Sequence, residues 1–126
     1  MSKPDKAMPG QLESIVRPLL YLAVPYSHPS PEIRAERFRA ANRAAGKLMA
    51  DGHHVFSPIS HTHPIAEVCE LPKGWDYWEA FDRAYLQCCH KLIVLTLDGW
   101  MDSIGVTEEI RIAQEMGVPV EFMCGV

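Results

Sequence analysis

Hydrophobic and polar positions follow two different periods along the chain. The run 92–97, Leu-Ile-Val-Leu-Thr-Leu, has no polar alternation and includes several β-branched residues. A strand of that kind has both faces covered, as in a parallel sheet between helical layers. Residues 18–24, Pro-Leu-Leu-Tyr-Leu-Ala-Val, repeat the pattern and predict a first buried strand, which Pro25, Pro29 and Pro31 terminate. Shorter strands are expected over 54–58 and 118–122, and Pro119 assigns the last to a sheet edge.

Helical spacing occupies the segments between. Ser30 as N-cap, Pro31 at the first helical position and Glu32 in the first turn open one helix. Phe38, Ala41, Ala45 and Leu48 share its inner face, Glu36, Arg39, Arg43 and Lys47 lie outside, and Asp51-Gly52 ends it. Residues 75–90 form the next, with Trp78, Phe81, Tyr85 and Cys89 inward and Glu79 and Arg83 outward. A third runs from about residue 106 to 116 and closes at Gly117. Ile112, Ala113 and Met116 stand at i+3, i+4 and i+7 from Glu109, while Glu108, Arg111 and Glu115 share another face. Residues 59–74, with Ser60, His61, Thr62, His63, Pro64, Lys73 and Gly74, are expected to be a long connection, such as a lid at the strand ends. The alternation predicts an α/β fold, a small doubly wound, flavodoxin- or Rossmann-like parallel sheet of four to five strands flanked by helices.

Composition narrows the picture. The 126 residues suit one domain, expected over 18–126, preceded by a flexible N-terminal arm over 1–17. A formal net charge of −4 without a block of Lys and Arg argues against a nucleic-acid polymer as partner and favours small molecules. Cys69, Cys88, Cys89 and Cys124 lack metal-binding spacing and read as reduced, mostly buried thiols of a cytoplasmic protein. No segment is apolar enough for a membrane span, and the start has no signal-peptide core, so no membrane partner is expected.

Candidate chemistry collects where the strands end. In open α/β sheets the crevice lies beyond the carboxyl ends of the strands, a position held here by Asp98, Asp102, Ser103 and Gly105. Glu109, near the start of a helix yet on its apolar side, is a candidate catalytic carboxylate; its ordinary reading is an acid that complements the helix dipole. Asp82 sits at i+4 from Trp78 and i−3 from Tyr85, so it also shares an apolar face and needs a partner or a cavity. Its ordinary reading is a buried cap or an Arg partner. His61 and His63 lack a third ligand at recognisable spacing, so no metal and no other cofactor is expected.

Together these residues resemble the nucleoside 2-deoxyribosyltransferase superfamily, including its nucleotide N-glycosidase branch, from Leu20 onward. The markers are Tyr21-Leu-Ala-Val-Pro-Tyr26, the helix ending in Ala50-Asp-Gly-His53, the Asp82 helix, and Ser103, Gly105 and Glu109 in a Ser-x-Gly-x-x-x-Glu pattern. The Pro-Tyr-Ser-His opening and the Asp-Gly-Trp turn are similar to a subgroup of short bacterial and phage proteins classed as a domain of unknown function. Val24 and His90 depart from the wider pattern, standing where many transferases have Gly and an acid. The resemblance implies cleavage or transfer at the N-glycosidic bond of a (deoxy)nucleoside or its 5′-monophosphate, hydrolysis leading. Glu109 is then the nucleophile or electrostatic stabiliser and Asp82 the second catalytic acid. Tyr21, Pro25, Tyr26, His28, His61, His63, Asp102, Ser103 and Gly105 are the implied substrate contacts, with Ser103 and Gly105 at a 5′-phosphate or 5′-hydroxyl. Homo-oligomers are implied as well. The alternative is a non-catalytic nucleotide-binding or sensing module of the same fold.

Overall fold

The two apolar runs form the centre of the sheet. The computed structural model describes residues 18–125, so the arm expected over 1–17 lies outside the described residues. Strands β1 (Leu19–Ala23), β2 (His54–Phe56), β3 (Lys91–Leu95) and β4 (Val120–Met123) pair in the order β2-β1-β3-β4, and every pairing is parallel. The helices are α1 (Pro31–Ala50), α2 (Pro58–Cys69), α3 (Trp75–Leu86) and α4 (Ile104–Met116). This is the doubly wound α/β architecture, and β4 takes the edge that Pro119 predicts.

Side chains alternate across the central strands and build two cores. Leu20, Leu22, Val24, Ile93 and Leu95 face one way and pack on Ala40, Ala41, Ala44 and Ala45 of α1. Small residues let that helix approach the sheet closely. Tyr21, Ala23, Leu92 and Val94 face the other way, against Leu86 at the end of α3 and Val106, Ile112 and Ala113 of α4. The termini follow local chemistry. Ser30 caps α1 through Ile33 N–H, Asp51 closes it before Gly52 at φ 96°, and Gly117 ends α4 at φ 73°.

Three expectations need correction. Residues 58–69 form α2 rather than an irregular lid. Pro58 starts that helix, where a missing N–H costs nothing, and Thr62 Oγ1 donates to Pro58 O at 2.9 Å. Pro64 removes one interior hydrogen bond, but burial of Ala66 and packing on α1 outweigh it. Helix α4 begins at Ile104, so Glu108 and Glu109 fall in its second turn rather than its first. Glu108 pairs with Arg111 on the outer face. All four thiols are free, but only Cys89 is buried: Cys69 is the exposed last residue of α2, Cys88 follows α3 and Cys124 follows the edge strand. Among the described residues no helix is long and apolar enough to cross a membrane.

Candidate active site

The strand order reverses between β1 and β3: the chain leaves β1 toward β2 on one side, then returns to β3 on the other. Loops after those two strands part at their carboxyl ends and open a crevice. A cavity of about 330 Å³ lies there. The β1 loop supplies Val24, Tyr26 and Ser27, the segment after β3 supplies Asp102, Ser103 and Gly105, and the start of α3 adds Trp75 and Trp78. Ser103 shapes its own corner, its Oγ accepting Val106 N–H at 3.2 Å as N-cap of α4. Gly105 keeps the first turn of α4 slim beside the Trp75 ring, 3.8 Å from where a Cβ would stand.

An acid pair forms the floor. Glu109 is only 5% exposed, and Tyr21, fully buried at the middle of β1, donates its hydroxyl to Glu109 Oε2 at 2.5 Å. Burial holds the Glu109 carboxyl well above the usual carboxylate range, and the Asp82 charge adds to this. Burial also pushes Asp82 up to about 7, against the opposing influence of the neighbouring Tyr21 and Glu109 side chains. The floor therefore sets two carboxyl groups beside one another, Glu109 held by the Tyr21 hydroxyl and Asp82 close by, both drawn toward their neutral forms by burial. Burial keeps the Tyr21 hydroxyl protonated, its pKa well above normal.

The rim is held by cross-links between loops. Tyr26 OH and His63 Nδ1 are 2.5 Å apart, and the His63 ring lies 4.5 Å from Phe38. Burial moves the His63 pKa below its ordinary value and raises that of Tyr26. Ser27 Oγ donates to Lys73 O at 3.0 Å, joining the β1 loop to the segment before α3. Arg37 of α1 donates to Ser27 O and Asp98 O, both at 3.1 Å, so one guanidinium ties together the loops after β1 and β3. Trp78 is fixed by its Nε1 donating to Pro72 O at 2.7 Å.

Of the residues singled out from sequence, Glu109, Asp82, Tyr26, His63, Asp102, Ser103 and Gly105 line the cavity together. Tyr21 sits behind Glu109 and touches it, and Pro25 is fully buried. His28 borders neighbouring grooves, its Nδ1 accepting Ser30 N–H. His61 does not join the site. Two residues apart on a helix, His61 and His63 point to different sides, and His61 lies among Phe56, Phe81 and Tyr85. Val24, Ser27, Thr62, Lys73, Trp75 and Trp78 line the cavity without having been named as substrate contacts. The signal for the tryptophans is chain direction: α3 leads into the amino end of a parallel strand, so its own start must lie at the carboxyl ends.

The profile of a domain of unknown function, DUF1937, matches residues 18–124. The chain belongs to the DUF1937 family. That match takes in every element from β1 to β4 and every residue of the cavity. No curated protein matches this DUF1937 chain. Among solved structures it is similar to the 2-deoxyribosyltransferase of the psychrotolerant bacterium Bacillus psychrosaccharolyticus, with a TM-score of 0.55 and 23% identity. The alignment covers 84% of this chain and 72% of the transferase. The likeness is one of fold.

His90, a departure from the wider pattern, is accounted for locally. Its Nδ1 accepts Leu19 N–H at 2.9 Å while its own N–H donates to Leu19 O at 2.8 Å, fastening the amino ends of β1 and β3. This lies at the end of the sheet opposite the cavity.

Proposed function

We propose that this DUF1937 protein breaks the N-glycosidic bond of a nucleoside or nucleotide, with Glu109 as the group that receives the sugar. The observation that carries the reading is the buried Glu109, held by the Tyr21 hydroxyl, with Asp82 beside it on the lining of a crevice at the sheet's switch point. A fold shared with a 2-deoxyribosyltransferase supports it.

Loss of a base from C1′ leaves positive charge on the sugar, and an anion beneath the ring lowers that barrier. Glu109 becomes that anion by passing its proton to Asp82, which at a pKa of about 7 is ionised in part of the molecules near neutral pH and is then free to accept it. The Tyr21 hydroxyl remains as donor to the new carboxylate. The C1′–N bond then breaks, its electron pair goes to the base nitrogen, and that nitrogen takes the proton from Asp82. Glu109 bonds to C1′. In the second step water attacks C1′, the ester bond to Glu109 breaks, and the water's proton passes to Asp82. A second base attacking in place of water gives transfer. Exclusion of water by Trp75, Trp78 and the α2 wall favours the latter, an open rim the former.

The test is chromatographic: purified protein with a panel of nucleosides and 5′-monophosphates, with and without an added acceptor base. Free base alone identifies a hydrolase, and new nucleoside that depends on acceptor identifies a transferase. Ligand binding without turnover of any panel member refutes the proposal and leaves the sensing module.

A further inference from the structure

A second groove, of about 400 Å³, opens beside the cavity and is lined by Ser27, His28, Pro29, Arg34, Lys73 and Gly74. Ser27, Lys73 and Gly74 line both, so the two spaces adjoin across the Ser27–Lys73 hydrogen bond. Their electrostatics differ. The cavity is lined by three carboxylates, those of Asp82, Asp102 and Glu109, against one cation, Lys73. The groove is lined by two cations and no carboxylate.

Its donors are held ready. Arg34, at the start of α1, is anchored by Nη1 donating to His28 O at 2.5 Å and to Pro29 O at 3.3 Å. Its Nε is buried and has no hydrogen-bond partner among the described residues. A buried N–H of a cation without an acceptor is unfavourable, and native structures resolve such groups with a bound water, ion or ligand. His28 accepts Ser30 N–H at Nδ1, which leaves the ring hydrogen on Nε2. Lys73 is only loosely engaged, 3.5 Å from Glu67 in a part-exposed pair and 3.4 Å from Leu71 O. A guanidinium, an ammonium and an imidazole therefore line one groove from separate elements of the chain. Donors set in several directions suit the oxygens of a phosphate better than a planar, neutral group.

We propose that this groove binds a phosphate group of the substrate, so that the protein selects a phosphorylated nucleoside over the free nucleoside. The proposal rests on the glycosidase reading of the adjoining cavity. It places phosphate recognition on α1 and the segment before α3, beside the Ser103 corner of the cavity.

The experiment compares matched nucleoside and 5′-monophosphate pairs on wild type, Arg34→Gln and Lys73→Gln, and titrates the same proteins with inorganic pyrophosphate calorimetrically. Wild type is expected to favour the monophosphate at least tenfold in kcat/KM, each variant to reduce that ratio about tenfold, and pyrophosphate binding to weaken in parallel. The ratio separates recognition from a structural role, since a displaced His28 loop would slow both substrates alike. Turnover with an unchanged ratio in both variants overturns the groove and leaves the glycosidase reading intact. No turnover by wild type removes the glycosidase reading, and the titration then decides the groove alone: weakened pyrophosphate binding in the variants supports it, while unchanged or absent binding overturns it.

Discussion

Replacing Asp82 with Asn should stabilise the protein while impairing it. The substitution keeps the shape and hydrogen-bonding capacity of the side chain and removes its charge. Asp82 rises from an ordinary 3.8 to about 7 on folding. The native state therefore holds a proton that the unfolded chain releases, and wild-type stability falls as pH rises from about 4 to about 7. A shift of about three units corresponds to about 4 kcal/mol once both states are ionised, at 1.36 kcal/mol per unit. Between pH 5 and pH 8 the wild type should lose about 2–3 kcal/mol that Asp82→Asn does not. Urea unfolding at four or five pH values over that range, followed by far-UV circular dichroism, measures both curves. A difference between the two proteins that widens with pH, alongside a large loss of base release, is the expected result. Parallel curves would refute the claim that Asp82 is held against its charge.

The same pair sets a pH profile for catalysis: kcat/KM should rise through about pH 7 as Asp82 becomes able to accept the Glu109 proton, and Asp82→Asn should abolish that limb. Tyr21→Phe leaves Glu109 Oε2 without its donor and should lower kcat roughly 10–100-fold at a cost of about 1–2 kcal/mol in stability, read by steady-state kinetics and urea unfolding. Gly99→Ala should cost about 1–3 kcal/mol, because φ is 87° there and the new Cβ would stand 2.9 Å from Arg37 Nη2. Gly46→Ala, inside α1 with nothing within 4 Å, should gain about 0.5–1 kcal/mol, and thermal melts of the two variants should move in opposite directions.

The parts legible in the sequence are those where local pattern and tertiary demand agree. The β1 and β3 runs are apolar on both faces because helices cover both faces, and Ser30-Pro31 and Gly117 mark helix ends by their own backbone chemistry. Glu109 and Asp82 stand out because acids on apolar helix faces require an explanation, and both lie on the cavity floor. Helix α2 was not legible. Its Pro64, Ser60 and Thr62 read locally as loop residues, while the contacts that hold it, with α1 and β1, are remote in sequence. The fate of His61 followed from that error, since only a helix separates it from His63. Arg34 and Lys73 were also out of reach. Each is an ordinary surface cation by position, and only the fold brings them to one groove.

The most direct measurement is base release by Glu109→Gln beside the wild type, on whichever nucleoside or nucleotide the wild type turns over. Gln preserves the size of the side chain and a group for the Tyr21 hydroxyl to donate to, but it cannot become an anion or form the sugar ester. The variant is expected to fold, to bind the substrate within a few-fold of wild type, and to release base at least roughly a thousandfold more slowly. A folded Glu109→Gln protein that releases base within tenfold of wild type would contradict the assignment of Glu109 as the residue that receives the sugar.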